Sequence, residues 1–131
     1  MDFSTSEKLY KEALKPIPGG VNSPVRAFGS AGMAPIFARK AGGCRITDAD
    51  NNEFIDYIAS WGPMILGHNH PEVVEAVLKA VEDGSSFGLA TEREIELARK
   101  ITAALPSVEQ VRLTTSGTEA VMTALRLARA F

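Results

Sequence analysis

The residues of this chain best suited to chemistry lie near its end, in Thr114-Thr115-Ser116-Gly117-Thr118-Glu119. Four hydroxyls and one glycine stand here between two different patterns. Upstream, Val111 and Leu113 alternate with polar neighbours, as in a short strand. Downstream, Ala120, Val121, Ala124, Leu125, Leu127, Ala128 and Phe131 recur at helical spacing. A strand-to-helix turn of this kind leaves the amides of a helix start unpaired, where the dipole favours an anion. Gly117 would let the backbone approach a ligand closely, and the flanking hydroxyls would add donors. A phosphate is the natural guest. The plainer alternative is a helix cap from Ser116 or Thr118 with nothing bound, and the turn by itself leaves both open.

Other candidates carry less. His68-Asn69-His70 could ligate a metal, but no third ligand is marked nearby, so capping or pocket roles are expected and no metal site is assigned. Asp48-Ala49-Asp50-Asn51-Asn52 opens like a calcium loop. Glu53 then stands where that loop needs glycine, and Ala59 where it needs a bidentate glutamate, so the segment reads as a turn. Cys44, in a strand pattern, is expected as a buried small hydrophobe. No Ser–His–Asp triad can be assigned from spacing. Arg26 is the only charge between Lys15 and Arg39. A guanidinium fork without an acidic neighbour suits a ligand carboxylate, although a surface arginine that packs its stem looks the same in sequence.

The elements that must position these groups can be read in order. Ser4-Thr5-Ser6-Glu7 has the pattern of a capping box and opens a helix with Leu9, Ala13 and Leu14 inward, ended by Pro16 and Pro18. Gly19 to Phe28 is loop or extended, because Pro24 lacks an amide donor and biases Ser23 away from helix. Short strands are expected at 36–39, 44–47 and 54–58, joined by turns at Gly42-Gly43 and at 48–52 into an antiparallel meander. Pro71 and Gly84 bracket a helix whose inner face is Val73, Val74, Val77, Leu78 and Val81. Thr91-x-x-Glu94 caps the next, with Ile95, Ala98, Ile101 and Leu105 inward and Pro106 as the stop. The final helix is apolar on more than one face and expects cover on both sides, so the chain reads as the first part of something longer. The order is that of an α/β fold.

Composition excludes several classes. The 131 residues are 45% hydrophobic and 23% charged with a net charge of −2, and no basic stripe points to nucleic acid or an anionic membrane. One cysteine excludes an intrachain disulfide and suits a reducing compartment. The start lacks a signal-peptide pattern and no apolar run approaches a membrane span, so the cytoplasm is expected.

The segments Gly-Gly-Val-Asn-Ser-Pro-Val-Arg-Ala-Phe (19–28), Asp-Tyr-Ile-Ala-Ser-Trp-Gly-Pro (56–63), Gly-His-Asn-His-Pro-Glu-Val (67–73), Gly-Ser-Ser-Phe-Gly (84–88) and Ser-Gly-Thr-Glu-Ala (116–120) run through the whole chain. In that order they resemble the amino-terminal part of the glutamate-1-semialdehyde 2,1-aminomutases, pyridoxal-phosphate enzymes of the class III aminotransferase group. The resemblance implies a fold-type-I transferase. Residues 1–58 would form an N-terminal segment and part of a small domain, and 59–131 the start of the large cofactor-binding domain. It implies pyridoxal or pyridoxamine phosphate held at Ser116, Gly117 and Thr118, and substrate held by Arg26 with Ser23, Val25 and Trp61 beside it. It further implies a homodimer with the site at the subunit interface. The reaction would move an amino group from C2 to C1 of glutamate 1-semialdehyde, giving 5-aminolevulinate for tetrapyrrole synthesis. The family's Schiff-base lysine would lie beyond Phe131, since the six lysines here fall in segments that match non-catalytic parts. No catalytic residue is therefore expected in these residues. Another class III aminotransferase, acting on an ω-amino acid or acylated ornithine, is the alternative; a non-catalytic binding fragment is the third.

Overall fold

In a computed structural model describing residues 1–131, helix α1 (Ser4–Ala13) begins without the capping box expected at Ser4 and Glu7. Its first amides are satisfied from elsewhere. Asp2 Oδ1 accepts from the Ser4 amide at 3.0 Å, and Asp50 accepts from the amides of Thr5 (2.6 Å) and Ser6 (2.9 Å) and from the Ser6 hydroxyl (2.8 Å). A helix start has four orphan donors, and a carboxylate brought from far along the chain serves them as well as a local cap does. Asp48 is fully buried, and its carboxylate accepts from the amides of Asp50 (3.0 Å) and Asn52 (2.7 Å) and from the Asn52 side chain (2.8 Å). The acidic segment is thus the expected turn, its oxygens consumed by the chain's own donors.

Partial removal from water raises the Asp50 pKa, but hydrogen bonds from Thr5 and Ser6 outweigh this and lower it to about 2. A depressed carboxylate stabilises the fold fully above its ordinary value near 3.8 and ceases to as pH falls through about 2. The protection factors of the Thr5 and Ser6 amides in the full-length protein, measured against free-peptide exchange at the same pH, should therefore be high at neutral pH and fall as pH drops from about 4 toward 2. Asp50→Ala should give low protection of both amides at every pH; unchanged protection in that variant would remove Asp50 from this role.

Strands β1 (Ala38–Gly42), β2 (Arg45–Asp48) and β3 (Glu53–Ile55) form the antiparallel meander, in the order β1-β2-β3. The pairs Gly42↔Arg45 and Ile46↔Phe54 fix the register, and a bulge lies between Ala38 and Lys40. The first turn is Gly43-Cys44, one residue later than expected. This moves Cys44 out of the strand and into the turn, where it is exposed rather than buried. Gly43 takes the positive φ that the turn demands (54°).

Helices α2 (Pro71–Glu82), α3 (Glu92–Ala104) and α4 (Gly117–Ala130) match their sequence signals closely, and the Thr91–Glu94 capping box forms. Their apolar faces are not inward. Val73, Val77, Leu78, Ile95, Leu105, Val121 and Leu125 are all between 48% and 63% exposed, and no hydrophobic residue of the chain is fully buried. Val111–Leu113 forms no strand, because no second extended segment pairs with it. The chain divides into two compact units, Met1–Asp83 and Gly84–Phe131. No helix is long and apolar enough to cross a membrane.

Candidate active site

Within the first unit, Val25 and Arg26 lie on one short helical turn, Pro24–Ala27, with Ser23 extended just before it, and the Arg26 amide donates to the Ser23 carbonyl at 2.9 Å. Its approach is held against α1: Gly20 has φ 72°, and a Cβ there would lie 2.5 Å from the Tyr10 ring. Ser23 lines a shallow groove of about 490 Å³ with Ile17, Val21, Pro24 and Ala27. Val25 and Arg26 are exposed, and no acidic group of the chain pairs with the Arg26 guanidinium. A permanently charged fork left unpaired on a rigid turn can take a carboxylate through two parallel bonds.

Trp61 stands on a separate turn, and no hydrogen bond joins it to the Arg26 turn. Ala59, Ser60 and Trp61 have φ of 48°, 52° and 69°, followed by Gly62 at 105°. A left-handed conformation costs a non-glycine residue about 1–2 kcal/mol, so three in succession need external support. Asp56 supplies it. One carboxylate oxygen accepts from the amides of Ile58 (2.8 Å) and Ala59 (3.0 Å), and the other lies 2.6 Å from His68 Nε2. The His68 bond, with those two amides, holds the Asp56 pKa below its ordinary value.

His68 and His70 serve different ends. His68 faces Asp56, and its backbone exchanges both hydrogen bonds with Gly43, at 2.8 and 2.9 Å. His70 precedes α2 without capping it. Its Nδ1 is buried without a partner, beside an open apolar groove of about 340 Å³ that includes Met64, Ile65, Leu66, Val74 and Val77. Of the two roles expected for these histidines, the pocket one describes His70.

In the second unit, the turn before α4 does two jobs with different atoms. Ser116 is the N-cap: its hydroxyl accepts from the Glu119 amide at 3.3 Å. Glu119 reaches back and accepts from the Thr115 amide at 3.1 Å and from the hydroxyls of Thr115 and Ser116. The Thr115 hydroxyl foremost holds the Glu119 pKa below its usual value. The cap occupies the Ser116 hydroxyl but not the amides of Gly117 and Thr118, for which the chain offers no acceptor. Gly117 needs no glycine on its own account. Its φ is not positive, and an added Cβ would meet nothing within 4 Å. Two free amides beside an empty Cβ position at a helix N-terminus fit a phosphate, with the Thr118 hydroxyl as a further donor.

Residues 28–131 match the model of the class-III aminotransferase family. The chain belongs to the class III aminotransferases. Across all of its 131 residues, this class III chain is 61% identical to a glutamate-1-semialdehyde 2,1-aminomutase of Acetivibrio thermocellus, covering 31% of that protein. It is 61% identical to the enzyme of the same name from Fusobacterium nucleatum, covering 30% of it. Among solved structures it resembles a transaminase with PLP bound (TM-score 0.90, 43% identity, 99% of this chain and 30% of that one). It also resembles a glutamate-1-semialdehyde aminomutase from Pseudomonas aeruginosa PAO1 (TM-score 0.83, 25% identity, 96% and 27%). The class III chain thus spans about 30% of the length of the relatives it matches, and over that part it has the fold of the PLP-dependent transaminases. What sequence reading of this family member missed is the Asp56–His68 pair and the left-handed run it supports. Asp56 and His68 are 12 positions apart, and neither pattern nor spacing links them.

Proposed function

We propose that the complete enzyme is a pyridoxal-phosphate-dependent aminomutase converting glutamate 1-semialdehyde into 5-aminolevulinate for tetrapyrrole synthesis, as a cytoplasmic homodimer with neither nucleic acid nor membrane as partner. The supporting observation is the 61% identity over the whole chain to proteins of that name. A class III transaminase of other specificity is the second reading. It is favoured by one comparison: the solved transaminase is closer in sequence and shape than the solved aminomutase. Formation of 5-aminolevulinate from glutamate 1-semialdehyde by the full-length enzyme, with no external amino acceptor, decides between them. Turnover only with an added amino donor and acceptor would establish the second.

In this reading the cofactor phosphate lies on the Gly117 and Thr118 amides with the Thr118 hydroxyl, and the Ser116 hydroxyl keeps the helix start in shape. When bound, the cofactor supplies an electron sink and an amino-group carrier. The Schiff-base lysine lies outside these residues, and the division at 58/59 describes domains of the complete enzyme rather than the two packing units seen here. Arg26 holds the substrate carboxylate, Ser23 and the Val25 backbone flank it, and Trp61 is an apolar wall. Arg26→Lys keeps the charge and loses the fork. It should raise substrate KM about tenfold, the worth of one charge-assisted hydrogen bond, with cofactor absorbance intact. An unaltered KM would leave Arg26 as a surface residue.

A further inference from the structure

We propose that Asp56, braced by His68, is a positioning residue that fixes the left-handed turn carrying Trp61 and so sets where the indole stands; its catalytic consequence rests on the reading of Trp61 as a substrate wall. Trp61 is 66% exposed, so within these residues packing does little to hold its place. The backbone must. The left-handed run begins at Ala59, and the Ala59 amide and the Ile58 amide before it both donate to Asp56. Within the turn, the amides of Trp61 and Gly62 donate to the Ile58 carbonyl at 3.0 and 3.1 Å, and those of Gly62 and Met64 to the Ala59 carbonyl at 3.0 and 3.1 Å. Every one of these bonds hangs on residues 58 and 59, which the Asp56 carboxylate anchors.

The anchor is itself held. The side chains of Asp56 and His68 are only 6% and 15% exposed, so their bond is shielded and costly to lose. His68 is locked by its backbone pairing with Gly43, and Asn69 donates to the Ala41 carbonyl at 2.7 Å. Gly67 allows this approach, since a Cβ there would stand 2.8 Å from the Gly43 carbonyl oxygen. A continuous path thus runs from the β1–β2 hairpin through His68 and Asp56 to the turn that presents Trp61. Neither Asp56 nor His68 needs to touch substrate.

The test uses full-length enzyme labelled with 5-fluorotryptophan, the Trp61 fluorine resonance being assigned with Trp61→Phe. Asp56→Ala should shift or broaden that resonance and raise substrate KM about tenfold or more, the scale of a misplaced positioning group, with cofactor absorbance unchanged. The KM of Asp56→Ala/Trp61→Ala should match that of Trp61→Ala alone, because the two act through one group. His68→Ala should move the resonance, and His68→Gln, which retains a donor, should restore it. Asp56→Asn keeps an acceptor for the Ile58 and Ala59 amides and should lie nearer the parent. A resonance unmoved in Asp56→Ala, or in His68→Ala should the former not fold, overturns the proposal. Additive KM increases in the double variant also do. A Trp61→Ala enzyme with unchanged KM sinks the substrate reading instead, and the resonance alone then decides the positioning role.

Discussion

Residues 1–131 expressed by themselves should associate or remain partly ordered rather than unfold in one cooperative step. Val73, Val77, Leu78 and Val81 on α2, Ile95 and Leu97 on α3, and Val121, Leu125 and Leu127 on α4 are 47–67% exposed. Complete burial of such a side chain contributes roughly 1.5–3 kcal/mol, and a whole domain's net stability is only about 5–15 kcal/mol. The contributions missing from three helix faces are therefore as large as the stability a domain has. Exposed apolar stripes of this extent also drive association. Size-exclusion chromatography, dye binding and urea titration would show it. The same polypeptide treated with pyridoxal phosphate and borohydride should carry no single stoichiometric pyridoxyl-lysine. A monomer with a sigmoidal urea transition and one labelled lysine would overturn both expectations.

Gly117→Val in the complete enzyme should weaken cofactor retention by about ten- to a hundredfold, the equivalent of one charge-assisted hydrogen bond worth roughly 1.5–3 kcal/mol. The valine side chain would occupy the Cβ position that this chain leaves empty, and so would keep a phosphate off the Gly117 and Thr118 amides. The fold should tolerate it. Position 117 is the first residue of α4, its φ is not positive, and no atom lies near the added carbon. Melting of the cofactor-free variant should stay close to that of the parent, while spectroscopic titration with pyridoxal phosphate shows the loss. Gly117→Ala should fall between. Parent-like affinity in Gly117→Val would return the turn to a simple helix cap.

Some of this protein follows from its sequence alone. Pro71, Thr91 with Glu94, and a hydroxyl before α4 open helices because proline and capping side chains act on amides within a turn of themselves; between Ser116 and Thr118 the structure decided for Ser116. The meander was legible for the same reason: glycine and Asp/Asn turns set hairpins through local geometry. The hydroxyl-glycine turn before α4 and the unpaired Arg26 were visible as candidates, since both depend on residue type at a single place.

What escaped the sequence depends on partners far along the chain. Asp50 displaces the local capping box at Ser4 because folding brings its carboxylate onto the Thr5 and Ser6 amides. Cys44 left its strand for the turn through a one-residue change of register, which alternation alone does not resolve. Val111–Leu113 has strand alternation but no ladder, because a strand exists only by pairing with another. The left-handed run at Ala59–Trp61 runs against the local preference of every residue in it. The Asp56 carboxylate, held by a histidine that the hairpin fixes in place, anchors the two residues on which the turn's own backbone bonds converge.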